Sequence, residues 1–164
     1  MDMKPPRVAT IAGDAEVDHA IATLVLAFAT DPVARWMYVD PHQYLLHIPQ
    51  LFRALGKSSL EARAAERTSD GFGVALWLPP DVHGEDGPLE AAIAEGIVGE
   101  KQTEVAAIFE RTEHYRPTEP HWYLSLIGVE HCIGTTDAVR DYCSTAFANA
   151  TESTSRHAYG PRTH

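Results

Sequence analysis

Between Glu119 and Tyr123 the chain gathers a carboxylate, an imidazole and a phenol, in the run Glu119-Pro120-His121-Trp122-Tyr123. Side chains of these three types can take or give a proton near neutral pH when their surroundings tune them. Each also has a plainer reading: Glu119 as a loop carboxylate beside Pro120, His121 as an imidazole at a strand end, Tyr123 as a core tyrosine. Trp36 and Trp77 are large enough to wall a pocket, although aromatic residues at such spacings more commonly fill core. Nine histidines and two cysteines invite a metal reading through His131, Cys132, Cys143 and His157. No Cys-x-x-Cys, His-x-x-x-His or His-Glu-x-x-His spacing exists, so no metal site is expected. A P-loop, a dinucleotide fingerprint and a Gly-x-Ser-x-Gly elbow are missing as well, which removes nucleotide hydrolysis, Rossmann oxidoreduction and the common serine hydrolases as motif-supported chemistries.

The elements that must carry these groups follow from hydrophobic spacing. Val8 to Ile11 reads as a short strand closed by Gly13, and Val17, Ile21, Leu24, Val25 and Phe28 recur three and four apart, as on one face of a helix. Asp14 is the expected N-cap of that helix, and Asp31-Pro32 its end. A second short helix carries Arg35 and Trp36, and Asp40-Pro41 marks a turn. From His42 to Lys57 helical spacing resumes with Pro49 inside it, which predicts a kink. Two extended runs between Ala62 and Pro79, joined by Ser69-Asp70-Gly71, predict a hairpin whose second strand, Gly73 to Leu78, is central. Pro79-Pro80 ends it. Val82 to Gly87 reads as a loop, Leu89 to Val98 and Thr103 to Thr112 as two helices broken at Gly99, and His121 to Glu130 as a buried strand. A further helix is expected over Asp137 to Phe147. The apolar residues then run out, so residues 1–149 make one domain and 150–164 an unpacked tail.

Bulk composition agrees with a single globular domain: 164 residues, 45% hydrophobic and 22% charged. The 13 basic residues against 23 acidic ones leave a formal charge of −10, and the basic residues do not cluster. Nucleic acid and anionic membranes are therefore not expected as partners. The N-terminal residues lack the apolar run of a secretion signal, the apolar window Ile21 to Ala29 is too short to span a bilayer, and Cys132 and Cys143 read as reduced thiols, so a cytoplasmic location is expected.

Two blocks of sequence, in this order, carry a likeness to a known family. The first is Ala27-Phe28-Ala29-Thr30-Asp31-Pro32 followed by Arg35-Trp36. The second is Ala75-Leu76-Trp77-Leu78-Pro79-Pro80, followed at a distance by Glu119-Pro120-His121-Trp122-Tyr123-Leu124 and Ile127-Gly128-Val129. Over roughly residues 8–130 the chain resembles a bacterial subgroup of the GNAT superfamily of N-acetyltransferases. The resemblance implies an α/β (α+β) fold with a mixed central sheet flanked by helices, incomplete at the C-terminus, and transfer of an acetyl group from acetyl-CoA to an amine of a small molecule or peptide. It implies that the edge of Ile127, Gly128 and Val129 pairs with the pantetheine arm as another strand would, with Gly128 allowing close approach. It further implies that Glu119, His121 or Tyr123 takes the amine proton, and that Trp36 and Trp77 line the acceptor pocket.

The likeness stops near residue 130. There the family has Gln or Arg, two residues, Gly, one residue, then Gly or Ala, opening a helix whose amides hold the cofactor pyrophosphate. Here the chain reads His131-Cys132-Ile133-Gly134-Thr135-Thr136-Asp137-Ala138-Val139-Arg140. Gly134 is the single glycine, and Asp137 would place a carboxylate where the pyrophosphate needs a positive helix end. A shifted reading frame would produce such an abrupt change. The alternative function is accordingly a catalytically silent, truncated relative that acts as a binding module or is a non-functional fragment. A sheet ending at this strand also leaves an apolar edge open, which implies self-association.

Overall fold

The computed structural model describes residues 7–130. In chain order these form β1 (Val8–Thr10), α1 (Asp14–Ala27), α2 (Pro32–Met37), α3 (Pro41–Glu61), β2 (Ala65–Thr68), β3 (Gly73–Leu78), α4 (Asp86–Gly96), α5 (Glu100–His114) and β4 (Tyr123–Val129). The helix expected over Asp137 to Phe147 and the tail over 150–164 lie outside the described residues. The fold is α+β: one four-stranded sheet in the order β1-β2-β3-β4, with α1 and α3 packed on one face, α4 against α3 and α5 against α4. Every pairing is antiparallel, so the mixed sheet expected above is purely antiparallel over the described residues.

Several local signals act differently from their first reading. Gly13, not Asp14, is the N-cap of α1. A glycine has no capping side chain, and the Glu16 carboxylate reaches back instead to accept the Ala12 N–H at 2.9 Å. That hydrogen bond, followed by the Arg67 guanidinium, holds the Glu16 carboxyl below its ordinary value. The 2.6 Å pair with Arg67 also ties the start of α1 to β2. Helix α1 ends at Ala27, so Asp31-Pro32 opens α2: the Asp31 carboxylate accepts the N–H groups of Val33 and Ala34, both at 2.9 Å, and Pro32 takes the first helical position. Asp40-Pro41 repeats the device at α3, where Asp40 accepts the His42 N–H at 2.7 Å. Helix α3 runs unbroken over 21 residues with Pro49 inside it.

The hairpin forms as expected. Asp70 accepts the Phe72 N–H at 3.1 Å, Gly71 supplies a φ of 81°, and Thr68 Oγ1 accepts the Gly73 N–H at 2.9 Å. Strand β3 pairs on both edges, as β2 does, and is buried at all six positions, which makes it the more deeply buried of the two inner strands. β4, by contrast, is half-buried, with only Gly128 fully buried. The expectation of a buried strand fails because, among the described residues, no strand pairs with its outer edge.

Gly128 is where α1 comes down on β4. A Cβ placed there would lie 2.9 Å from Leu24 Cδ2, 3.0 Å from Ala27 Cβ and 3.2 Å from Phe28 Cε2. The absence of a side chain is thus accounted for by helix packing, not by room for a ligand. On the opposite face of the sheet, Glu66 stands across from Ala75, which clusters with Ala64 and Trp77. Burial raises the Glu66 carboxyl above its ordinary value, and its Oε2 is buried without a hydrogen-bond partner.

Two outcomes follow. Gly128→Ala should lower the unfolding free energy by about 1–3 kcal/mol through overpacking, read by urea denaturation; undiminished stability would mean that α1 can retreat from the sheet. Because the folded carboxyl of Glu66 holds its proton more tightly than the unfolded one, its contribution is intact below the unfolded value of about 4.3 and is lost as pH rises through the folded value. Glu66→Gln should therefore raise the melting temperature near pH 7, by the equivalent of about 1 kcal/mol or less, and change little near pH 4. Equal gains at both pH values would contradict this.

Candidate functional site

The first turns of α4, the end of α5, helices α2 and α3 and the beginning of β4 enclose a cavity of about 690 Å³. Its floor is apolar, with Phe28, Met37, Leu51, Phe52, Ile93 and Phe109 contributing. Phe28 and Phe52 meet there at 5.3 Å between ring centroids, inclined by 58°. A space of this size and lining is typical of small-molecule sites.

β4 enters the cavity through an irregularity. Leu76 pairs with Leu126 and Trp77 with Leu124, so Ser125 is an extra residue in β4, a β-bulge. The neighbours Ser125 and Leu126 consequently both line the cavity, and Tyr123 lines it too. Regular alternation would have sent Tyr123 and Ser125 to the face opposite Leu126. Beyond the bulge, the Glu130 N–H donates to Phe72 O at 2.8 Å, which sets the phase of the ladder. Gly128 and Leu126 then direct their backbone groups at β3, while the N–H and C=O of Ile127 and Val129 point to the outer edge.

The three acid–base candidates occupy one neighbourhood but are not equivalent. Tyr123 faces the cavity, and the Arg116 guanidinium lies 3.8 Å from its ring centroid while pairing with Glu113 at 3.1 Å. His121 stands edge-on to Tyr123, at 6.3 Å and 82°. Its Nδ1 is 2.7 Å from the Glu119 carbonyl oxygen. A carbonyl can only accept, so in the neutral ring Nδ1 carries the hydrogen and Nε2 the lone pair; that Nε2 is buried with no hydrogen-bond partner. Glu119 is exposed, and the atom by which it touches this group is its backbone carbonyl oxygen.

Neither tryptophan lines the cavity. Trp36 accepts a hydrogen bond at its carbonyl from Lys101 Nζ at 2.9 Å, with the same ammonium 5.6 Å from its ring centroid, and so joins α2 to α5. Trp77 is 5% exposed and packs with Ala64 and Ala75 on the far face of the sheet. The strand period explains it: Leu76 and Leu78 face the helices, so Trp77 must face away. Gly128 is spent on packing against α1. Residues that spacing did not single out, namely Ser125, Arg116, Glu90 and Glu110, do line the cavity. For the acids the only sequence signal was their recurrence on α4 and α5, which reads equally as a solvated helix face. No described helix is long and apolar enough to cross a membrane, and among the described residues no group of three or more His, Cys, Asp or Glu is placed to hold a metal ion.

If Arg116 is bound to Tyr123 as this geometry indicates, a double-mutant cycle of Arg116→Ala and Tyr123→Leu should return a coupling free energy of about 1 kcal/mol in urea denaturation. A coupling indistinguishable from zero would reduce the stacking to mere proximity. No protein-family model matches this chain, which leaves the chemistry of the site to be read from its residues.

Proposed function

We propose that this chain is a GNAT-type N-acetyltransferase acting in the cytoplasm, moving an acetyl group from acetyl-CoA to an amine of a small molecule or peptide. The observation that carries the reading is the outer edge of β4, where Ile127 and Val129 direct N–H and C=O groups that no strand pairs among the described residues away from the sheet, next to a bulge that opens onto the cavity. An extended, amide-bearing arm fits such an edge by the rules of strand pairing. Acetyl-CoA would supply an activated thioester: the amine nitrogen bonds to its carbonyl carbon, the carbon–sulfur bond breaks, and the nitrogen loses a proton as the thiolate gains one.

The chain's own contribution to that transfer is positional. The cavity floor holds the acceptor, the β4 edge holds the donor arm, and the two meet along one strand. His121 is the best-placed group to take the proton, because the Glu119 carbonyl orients its ring and leaves the Nε2 lone pair unused. The residues that the family uses for the pyrophosphate fall at 131–140, outside the described residues. Their sequence, with Gly134 as its single glycine, favours the second reading, a catalytically silent, truncated relative that acts as a binding module or is a non-functional fragment.

Calorimetric titration of acetyl-CoA into the purified chain separates the two. Saturable binding in the micromolar range, about −8 kcal/mol, together with a fall in acetyl transfer of about 10² or more in His121→Ala at unchanged acetyl-CoA affinity, would support the transferase. Absence of binding by folded protein would sink it and leave the silent relative. Binding with no turnover against a broad amine panel would leave the silent relative.

A further inference from the structure

We infer that the cavity between α4, α5 and the bulged start of β4 takes a cationic amphiphile, an ammonium group carried on an apolar body, and that within the transferase reading this is the class of the acetyl acceptor. The cavity wall contains six acidic residues and a single basic one, whereas the whole chain has 23 acidic and 13 basic residues. General acidity therefore does not account for the wall.

The acids also differ in availability. Asp31 is occupied in capping α2, Glu85 is paired with Lys57 at 2.5 Å, and Glu113 with Arg116 at 3.1 Å. Asp86 and Glu90 on α4 and Glu110 on α5 have no ion-pair partner among the described residues. They come from two different helices onto one cavity. The one cation, Arg116, is held against the Tyr123 ring and by Glu113, so it is not free to receive an anion.

Charge and lining together select the occupant. An anion of any shape meets an excess of carboxylates. A neutral apolar molecule fills the floor and leaves the carboxylates without a counter-charge. An ammonium on an apolar stem uses both, with its body among Phe28, Phe52 and Phe109 and its charge toward Glu90 and Glu110. Carboxylates lining a partly enclosed cleft concentrate their field there, which favours entry of cations over neutral molecules of the same shape.

The test uses the full chain without acetyl-CoA and three probes of one shape: phenylbutylamine, phenylbutanol and phenylbutyrate, each titrated by calorimetry. The amine is expected to bind about tenfold more tightly than the alcohol, with the carboxylate weakest, and the margin should shrink as salt is raised from about 0.02 to about 0.5 M. In the double variant Glu90→Gln with Glu110→Gln, the margin between amine and alcohol should fall to about twofold or less while alcohol binding stays the same. Both positions are exposed, and circular dichroism verifies that the variant is folded. Equal affinity for amine and alcohol, a margin untouched by the double variant, or no binding of any probe overturns the inference. A separate titration with acetyl-CoA keeps the two readings apart, since a cation pocket without acetyl-CoA binding would remove only the transferase.

Discussion

The contact between α1 and β4 at Gly128 sets the geometry on which the rest of the molecule depends. There is no room for even a methyl group there, because Leu24, Ala27 and Phe28 already fill the space. This brings the C-terminal end of α1 within touching distance of the strand, and it fixes Phe28. Phe28 in turn meets Phe52 of α3 and forms part of the cavity floor. The Asp31 cap follows three residues later and starts α2 beside the same cavity. A single missing side chain on β4 therefore determines where one wall of the candidate site stands.

Hydrophobic period revealed most of the elements, because helices and strands bury faces at 3.6 and 2 residues. β3 was legible as a central strand from its continuous apolar run, which is what a strand buried on both faces requires. Aspartate-proline pairs were read as ends and turns, yet the same dipeptide is a helix start once the carboxylate turns back to the amides that follow. Direction cannot be settled by the pair alone. The site was less legible still. Tyr123 does line the cavity, with His121 edge-on to it, whereas Trp36 and Trp77 do not line it; for Trp77, residue type says nothing of which sheet face is already spoken for. The role of Gly128 depends on a helix about a hundred residues earlier in the chain, and no local pattern carries that information.

Charge is distributed in a way that separates stability from recognition. Tyr38 and Tyr44 lie in the core between α2 and α3, and burial pushes both phenols up to about 12, so neither ionises near neutral pH. The Tyr44 hydroxyl donates to the Val25 carbonyl at 2.6 Å, which joins α3 to α1 without any charge. The interior beneath the cavity is thus kept neutral, and the carboxylates stand at the exposed rim, where water limits the cost of their mutual repulsion. Glu66 is the exception. It places a carboxyl on the far face of the sheet beside Ala75, with nothing to bond one of its oxygens, and desolvation is the sole cause of its raised value.

The bulge at Ser125 makes the two halves of the candidate site compatible. Gly128 and Leu126 must face α1 and α3, since the close packing of α1 leaves no alternative. In a regular strand Tyr123 and Ser125 would then belong to the opposite face, with Trp77 and Ile127. One inserted residue reverses the alternation, so Tyr123 and Ser125 look into the cavity while Ile127 and Val129 keep their backbone groups on the outer edge. The insertion disturbs one step of the ladder with β3, a modest loss for a strand that, among the described residues, is paired on one side only. The same step could not sit in β3, where a displaced residue would disturb two ladders and two buried faces. An irregularity of this kind therefore belongs on the outer strand, at the point where the sheet stops serving the core and begins to serve the cavity.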